Sequence, residues 1–400
     1  MNVVIIGAGA SGLCCAINLA RRGIDVTILD RLSSCGKKIL VTGNGRCNYW
    51  NEDFTNKHFY SDDFENLNII NSVKNKNEVL TFFSSLGIVP TIKNGYYYPM
   101  SMQASSIRDI LLLEAKTYGV KFINDFNVKC VKKMNNKFFV ISDSGEVICD
   151  KLVVACGSYS YYNEKTLGYE ICKSFNHSIN PVLPSLVQLV GNDSFYKDWD
   201  GVRSNATVKL YVDEHLEKED SGEIMLTNYG VSGICIFNLS GVANRAIYNG
   251  KKVKININFL PNIVDLFEFF EERSKLIDFD LYNFLVGLLN NKLVNLILKR
   301  CDLNNNKKWN DLNTIEKRNL VDMISSFDVN IISSKSFDNS QVCTGGVSLK
   351  EINPNTMESL KCNNLYIIGE VLDVDGECGG YNLGFAWITG LIAGRSVNND

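Results

Sequence analysis

Several features that would assign a protein to a common functional class are missing from this sequence. Its 400 residues carry 41 Lys and Arg against 44 Asp and Glu, a formal net charge of −3, so nothing indicates a general attraction for nucleic acid or anionic membranes. The longest apolar stretch, Leu281 to Leu298, is interrupted by Asn290, Asn291 and Lys292 and would make a poor membrane span. We therefore expect a cytoplasmic protein with a small-molecule substrate and with neither a nucleic-acid nor a membrane partner.

Paired cysteines and clustered histidines are missing as well. The thirteen cysteines contain no CxxC pair, which argues against a zinc ribbon and against a thioredoxin-like dithiol. Several lie inside apolar runs, where a free thiol packs as a small hydrophobic side chain, and their scatter indicates a reducing compartment. The three histidines, His58, His177 and His215, are each more typical of surface or core positions. The sequence predicts no metal site and identifies no catalytic residue.

A glycine-rich turn stands near the N-terminus. Four apolar residues, Val3 to Ile6, run directly into it, and a helical pattern from Leu13 to Arg22 follows without a loop. This strand, turn and helix are the context that a dinucleotide fingerprint needs. Gly7 permits the tight turn, Gly9 lets the backbone approach a pyrophosphate, and Gly12 lets the helix pack closely on the strand. The candidate residues of the turn are Gly7, Ala8, Gly9, Ala10, Ser11 and Gly12.

The second strand adds an acidic residue at the expected distance. Asp25 to Leu29 reads as a strand that ends at Asp30, where a carboxylate can accept hydrogen bonds from a ribose and would repel a 2′-phosphate. The following stretch, Gly36 to Asn48, is rich in Gly, Asn and basic residues, which predicts a loop with positive φ angles that could meet phosphate charge. At this point NAD and FAD are equally good candidates.

The middle of the chain alternates between strand-like and helical patterns. Residues 59–90 and 103–118 are expected to be helical, short strands follow, and a buried strand from Lys151 to Cys156 ends at Gly157. Dispersed strands then suit a small antiparallel sheet or barrel, and three helical runs come after them. These runs are Val264 to Lys275, Leu281 to Lys299 and Thr314 to Ile324. The boundaries expected from these patterns are 1–185, 186–261, 262–325, 326–343 and 344–400.

The C-terminal segment is rich in glycine, like the turn near the N-terminus. Asn364 to Glu370 reads as a short buried strand ending in Gly and an acid, and an apolar helix, Leu383 to Ala393, follows a second glycine-rich turn. An NAD-only Rossmann domain is normally complete in one stretch, whereas FAD folds of the glutathione-reductase type close their site with a late strand ending in Gly-acid. The pairing therefore favours FAD, with the middle of the chain as an insertion.

Several short sequence motifs extend this interpretation to a protein family. The chain resembles the HI0933-like FAD-dependent oxidoreductases, which include aminoacetone oxidases and bile-acid-pathway flavoproteins. The resemblance rests on Gly7 to Gly12, Lys38 to Asn48, Tyr98-Pro99, Thr344 to Val347, and Gly369 to Asn382. It implies an α/β fold: a split Rossmann-like FAD-binding domain of the glutathione-reductase type, with an inserted small β-barrel-like domain and a helical domain.

The same resemblance implies a set of cofactor-binding residues. Lys38 and the loop from Thr42 to Asn48 would lie along the FAD, Val128 would contact adenine through its backbone, and Asp373 and Asn382 would bind the ribityl or flavin end. The N-terminus of the last helix would aim N–H groups at the pyrimidine edge of the isoalloxazine and stabilise negative charge there. Beyond the fingerprint turn, the implied residues are Asp30, Arg31, Lys37, Lys38, Ile39, Thr42, Gly43, Gly45, Arg46, Cys47, Asn48, Val128, Cys156, Gly157, Gly369, Glu370, Asp373, Gly380, Tyr381, Asn382 and Leu383.

One segment departs from the family pattern. Where relatives have an ATGG-like turn, this chain has Ala155 to Ser158, followed by Tyr159 to Asn163 in place of a Ser/Pro/Thr/Gly-rich stretch. We expect this segment to border the substrate. Arg46 and Glu377 are candidates for anchoring a polar substrate.

The function expected from the sequence is hydride transfer between a small organic substrate and FAD. No second GxGxxG follows a strand, so NAD(P)H would have to visit the flavin transiently. One candidate reaction is reduction of a conjugated ketone, such as a steroid or bile-acid intermediate, and the other is oxidation of an amine or aminoketone by oxygen. A non-catalytic flavin-binding redox sensor or scaffold is the alternative from another class, and the charge balance disfavours an RNA-modifying enzyme.

Overall fold

The computed structural model of the chain describes residues 1–63, 73–160 and 166–397. It divides into two compact units, the first made of residues 1–182 with 342–400 and the second of residues 183–341. The chain therefore leaves the first unit once and returns to it once. Its N-terminal and C-terminal segments belong to the same unit.

A five-stranded parallel sheet forms the centre of the first unit. The first strand, Asn2–Ile6, lies in its middle and pairs with Asp25–Leu29 on one side and Lys151–Val154 on the other. Leu365–Ile367 and Lys121–Ile123 form the two edges. The central strand is apolar and buried along almost its whole length because both faces of a parallel sheet are covered. The carboxyl ends of these strands meet at one edge, where this type of fold binds its ligands.

The first and last helices of the chain pack closely together in this unit. A Cβ at Gly390 would lie 2.6 Å from the carbonyl oxygen of Ser11, and one at Gly394 would lie 2.7 Å from the Cβ of Asn18. Glycine at two positions four residues apart thus lets the two backbones approach. The helices in the described residues of the first unit are Ala10–Arg21, Lys37–Val41, Val73–Ser85, Ala104–Thr117, Gly168–Ser174 and Tyr381–Ser396.

The helical expectation for residues 59–90 is only partly correct. Val73–Ser85 is a helix, but Phe59–Tyr60 is a strand because it pairs with Asp375–Gly376, a partner far away in sequence. Residues 64–72 of that prediction lie outside the described residues.

Small antiparallel sheets complete the first unit. One is formed by Val128–Met134, Lys137–Ser142 and Gly145–Cys149. A second is formed by Trp50–Asn51, Tyr96–Pro99 and Pro90–Lys93, with Tyr96–Pro99 in its middle.

The second unit is built on a seven-stranded antiparallel sheet. Its strands, in spatial order, are Phe327–Ile331, Val253–Asn258, Arg203–Val212, His215–Thr227, Gly230–Gly233, Leu189–Val190 and Ser333–Ser334. Apolar side chains of this sheet and of the helices form one buried core. The helices are Tyr196–Trp199, Ile234–Tyr248, Leu266–Leu276, Leu281–Val286, Asn291–Arg300 and Thr314–Ser325.

The helical run expected from Leu281 to Lys299 is two helices. The first ends at Val286 and the second begins at Asn291. The cause is Asn290, whose side-chain oxygen accepts a hydrogen bond from the backbone N–H of Lys292 at 3.0 Å and so caps the second helix. None of the helices in the described residues combines the length and apolar character that a membrane span requires.

Candidate FAD site

The three glycines of the fingerprint turn have two different structural roles. Gly7 has φ of +110°, and a Cβ there would lie 2.3 Å from the carbonyl oxygen of Ala155. A Cβ at Gly12 would lie 2.0 Å from the carbonyl oxygen of Gly7. Gly9 has an ordinary φ of −83°, and a Cβ there would meet nothing within 4 Å. Gly7 and Gly12 are therefore required by packing, whereas Gly9 borders open space in front of the helix N-terminus.

Asp30 connects the end of the second strand to this turn. Its carboxylate accepts hydrogen bonds from the backbone N–H groups of Ala8, at 2.7 Å, and Leu32, at 2.8 Å. Burial raises the pKa of Asp30, while these two hydrogen bonds and the charges of Arg31 and Lys37 oppose the increase. Each carboxylate oxygen has a further acceptor site, so Asp30 can hold the turn and still accept a ribose hydroxyl.

The stretch after the second strand, Gly36 to Asn48, is only partly the predicted loop: Lys37–Val41 is a short helix, preceded by the left-handed Gly36, and left-handed backbone returns after it. Gly43, Asn44, Gly45 and Cys47 all have φ between 54° and 79°. Cys47 is fully buried, and burial raises the pKa of its thiol to about 12, so the thiol stays protonated and packs as a small side chain.

A polar network holds the segment that departs from the family pattern. The Lys38 ammonium donates to a Glu370 carboxylate oxygen and to the Ser160 hydroxyl, both at 2.6 Å. The Ser158 hydroxyl donates to the other Glu370 oxygen at 2.7 Å. Lys38 and Glu370, two of the implied cofactor residues, are thus brought together and bound to Ser158 and Ser160. Tyr161 to Asn163, which continue the departing segment, lie outside the described residues.

The C-terminal glycine-rich turn is closed by its own side chains. The Asn382 amide accepts from the backbone N–H of Gly376 at 2.9 Å and donates to the Gly376 carbonyl at 2.7 Å. Gly380, with φ of +92°, immediately precedes the last helix, and a Cβ there would lie 2.8 Å from the Trp50 carbonyl oxygen. The Asn382 side chain therefore fixes the turn, so backbone N–H groups at the helix start are the donors suited to a ligand.

Asp373 is a buried carboxylate with one satisfied oxygen. It is 0% exposed, and Oδ2 accepts from the Asn180 side-chain amide at 2.6 Å and from the backbone N–H of Asp62 at 3.1 Å. Oδ1 has no hydrogen-bond partner among the described residues. Burial raises the pKa of Asp373 to about 6, assisted by the nearby Asp62 carboxylate.

These features fit a large, hydroxyl-rich dinucleotide. A Cβ at Gly157 would meet nothing within 4 Å, as at Gly9, so both glycines border space at the carboxyl ends of the sheet. Buried acceptors without a partner among the described residues, Asp373 Oδ1 and Asn48 Oδ1, suit ribityl or flavin donors. The residues present therefore fit FAD.

Three further residues implied by the family resemblance, Val128, Cys156 and Gly369, lie close to the first two strands or to the fingerprint turn. Val128 is buried beside the second-strand end, since Phe126 donates its backbone N–H to the Asp30 carbonyl at 2.9 Å. The Cys156 thiol lies 3.5 Å from the Ile6 carbonyl, and burial raises its pKa to about 12. Gly369 has φ of +75°, and a Cβ there would lie 2.4 Å from the Ser11 hydroxyl.

Several residues that support the site belong to no sequence motif. His58 lies between two carboxylates, with Nδ1 2.7 Å from Glu377 and Nε2 3.1 Å from Asp53, and its ring stacks on Tyr381 at 4.5 Å. Asn180, the partner of Asp373, belongs to no motif. The His58–Glu377 contact joins residues 319 positions apart, and the Asn180–Asp373 contact joins residues 193 positions apart. No local pattern in the sequence could indicate either of them.

The sheet order, the fingerprint and the returning C-terminal turn define a Rossmann-type FAD-dependent oxidoreductase. The HI0933-like protein Rossmann domain matches residues 1–396, and the chain belongs to this family. Both the resemblance predicted from the sequence and the fold class are confirmed.

Two named relatives match almost the whole chain. The chain is 35% identical over 407 residues to a 3-dehydro-bile acid delta(4,6)-reductase of Clostridium scindens, covering 99% of this chain and 98% of that protein. It is 29% identical over 406 residues to a ribosomal RNA dihydrouridine synthase of Haemophilus influenzae, with the same coverage. Among solved structures, a 3-ketosteroid-delta4-(5alpha)-dehydrogenase of Rhodococcus jostii aligns with 98% of this chain and 96% of its own at 13% identity and a TM-score of 0.49.

Proposed function

We propose that this enzyme reduces a carbon–carbon double bond conjugated to a carbonyl group, on a small polycyclic ketone. The observation that supports this most is the chain-long similarity to a reductase of a 3-oxo compound with double bonds at positions 4 and 6. Formation of dihydrouridine is chemically related, because it also saturates a double bond next to a carbonyl. Both reactions need a hydride at the carbon distal to the carbonyl and a proton at the proximal carbon.

The chain's residues divide the binding of the cofactor between them. The fingerprint turn and Asp30 would hold the ADP half, and Asp373, Asn48 and the start of the last helix would hold the ribityl and flavin end. Bound FAD supplies the hydride chemistry. The N-terminal N–H groups of the last helix would stabilise negative charge at the pyrimidine edge. NAD(P)H is the proposed transient reductant.

A uridine in RNA is the second candidate substrate, favoured by the 29% identity to a ribosomal RNA dihydrouridine synthase. The charge distribution favours the small ketone instead. The first unit carries equal numbers of basic and acidic residues, and the second carries more acidic than basic ones. Phosphate contacts supply most of the affinity of nucleic-acid binding, and a balanced surface provides few of them.

An anaerobic experiment tests the proposal. The FAD-loaded protein is titrated with NADH or NADPH, and flavin absorbance is followed before and after addition of 4-androstene-3,17-dione or of a uridine-containing RNA. We expect the nicotinamide to bleach the flavin and the enone to restore its colour. Bleaching by an amine, with no response to either nicotinamide or enone, would contradict the proposal and indicate an amine oxidase.

A further inference from the structure

The strand Tyr96–Pro99 lies against both glycine-rich loops of the candidate FAD site. A Cβ at Gly379 would lie 2.9 Å from Cε1 of Tyr96, and a Cβ at Gly43 would lie 3.8 Å from Cε1 of Tyr98. The backbone carbonyl of Tyr97 accepts a hydrogen bond from the N–H of Tyr49 at 3.0 Å. One strand therefore contacts the loop after the second strand and the turn before the last helix.

The strand presents two phenols on one face. Successive side chains of a strand point to opposite faces, so Tyr96 and Tyr98 share a face and Tyr97 points away from it. Tyr97 packs against Tyr49, with ring centroids 6.3 Å apart. In the neighbouring strand Lys93 is directly opposite Tyr96 and therefore lies on the same face as the two phenols. Tyr96 and Tyr98 are half-buried.

Positive charge accompanies these phenols. Lys93 and Arg46 are both exposed, and neither makes an ion pair with any residue in the described ranges. Arg46 lies close enough to Tyr98 for its charge to lower the pKa of the phenol, but burial dominates and raises that pKa. Tyr98 therefore remains protonated at neutral pH and can donate a hydrogen bond.

We propose that the face formed by Tyr96, Tyr98 and Lys93 is the substrate-binding wall, and that its substrate is a conjugated ketone on an apolar ring body carrying an anionic group. This inference rests on the proposed function. The tyrosine rings cover the apolar body, a phenol O–H donates to the ketone oxygen, and Lys93 pairs with the anionic group.

Aromatic rings beside cationic side chains also bind single-stranded nucleic acid. Two observations favour the small amphiphile. The face offers only two phenols, and the unit that carries it has no excess of basic residues. An RNA substrate is therefore an outcome that the experiment distinguishes.

The test compares two probes on four variants of the FAD-loaded protein. The probes are 4-androstene-3,17-dione, which is uncharged, and 3-oxo-4-cholenoic acid, which carries a carboxylate. Dissociation constants are read from the change in flavin absorbance on binding, and the affinity for FAD is measured separately. The variants are Tyr96→Phe, Tyr98→Phe, Lys93→Gln and, as the matched control from the opposite face, Tyr97→Phe.

We expect Lys93→Gln to weaken binding of the carboxylate probe roughly 3- to 10-fold and to leave the uncharged probe unaffected. At least one of Tyr96→Phe and Tyr98→Phe should weaken both probes to a similar extent, with FAD affinity unchanged. Tyr97→Phe should bind both probes like the wild type.

The experiment distinguishes failure of the proposed function from failure of the proposed substrate-binding wall. If the wild type neither binds nor reduces either probe, the proposed function is wrong. If the wild type reduces them and all four variants bind like it, the proposed function stands and the substrate wall lies elsewhere. If the wild type reduces uridine in RNA and the tyrosine variants lose that activity, the face binds RNA and the proposed substrate class is overturned.

Discussion

The glycines of the fingerprint turn are not all required by packing, and this can be tested one residue at a time. Gly12 is tightly packed, since a Cβ there would overlap the Gly7 carbonyl. Gly9 faces open space, and we propose that its small size matters only when the cofactor's pyrophosphate approaches.

Gly9→Ala should leave the FAD-free protein nearly as stable as the wild type, losing at most about 1 kcal/mol from the poorer helix cap. It should weaken FAD binding roughly 10-fold or more, because the backbone can no longer approach the pyrophosphate. Gly12→Ala should instead destabilise the FAD-free fold by about 2 kcal/mol or more. Gly222→Ala, at a strand position where a Cβ meets nothing within 4 Å, is the control. Urea unfolding and fluorescence titration with FAD measure both quantities, and equal FAD affinity in Gly9→Ala would refute the assignment.

We propose that Asp373 links cofactor binding to stability. Its pKa is raised to about 6, so the protonated form favours the fold. That contribution is complete below the unfolded value near 4 and is lost as the pH rises through about 6. At neutral pH the FAD-free protein therefore holds a buried, poorly compensated charge.

Asp373→Asn should stabilise the FAD-free protein at pH 8 by about 1 to 3 kcal/mol relative to the wild type, with little gain at pH 4.5. The same change should weaken FAD binding, because the buried acceptor is lost. Thermal unfolding at the two pH values and FAD titration check both effects. A stability gain of Asp373→Asn over the wild type that is smaller at pH 8 than at pH 4.5 would contradict a raised pKa of Asp373.

At the scale of elements, the segment 53–60 supports the turn before the last helix. Phe59–Tyr60 pairs with Asp375–Gly376, the backbone N–H of Glu377 donates to the His58 carbonyl at 2.9 Å, and the His58 ring stacks on Tyr381. The position of the helix start therefore depends on residues more than 300 positions earlier in the chain.

His58→Ala should lower stability by roughly 1 to 2 kcal/mol and weaken FAD binding several-fold, because the ring that stacks on Tyr381 and contacts the Glu377 and Asp53 carboxylates is lost. His215→Ala is the matched control, since His215 is exposed on a strand of the second unit. Calorimetry and FAD titration measure the two effects. Unchanged FAD affinity in His58→Ala would mean that the segment does not position the turn.

Local sequence patterns predicted helices, strands and turns better than they predicted the long-range contacts between side chains. The fingerprint turn, the left-handed loop at Gly43 to Cys47 and the returning C-terminal helix are encoded by glycine and by apolar runs within a few residues. Asn180 with Asp373 and His58 with Glu377 are contacts made by the tertiary fold, so no spacing in the sequence reveals them. The break at Asn290 was visible as polar residues, but its role as a helix cap required the backbone geometry.

At the scale of the whole molecule, one unit gathers both ends of the chain. The fingerprint strand lies next to Lys151–Val154, which pairs in turn with Leu365–Ile367, so the fingerprint turn and Gly369 lie at the same edge of one sheet. The division of the inserted region into barrel-like and helical domains remains a prediction.

The product of a single turnover shows directly which bond the enzyme reduces. Anaerobically reduced, FAD-loaded protein is mixed with an equimolar amount of 4-androstene-3,17-dione, and the steroid is analysed by mass spectrometry and NMR. We predict reoxidation of the flavin with formation of the saturated ketone, in which the carbon–carbon double bond is reduced and both carbonyl groups are intact. Unchanged enone with the flavin still reduced, or reduction of a carbonyl to an alcohol, would contradict the proposal that this enzyme reduces a conjugated carbon–carbon double bond.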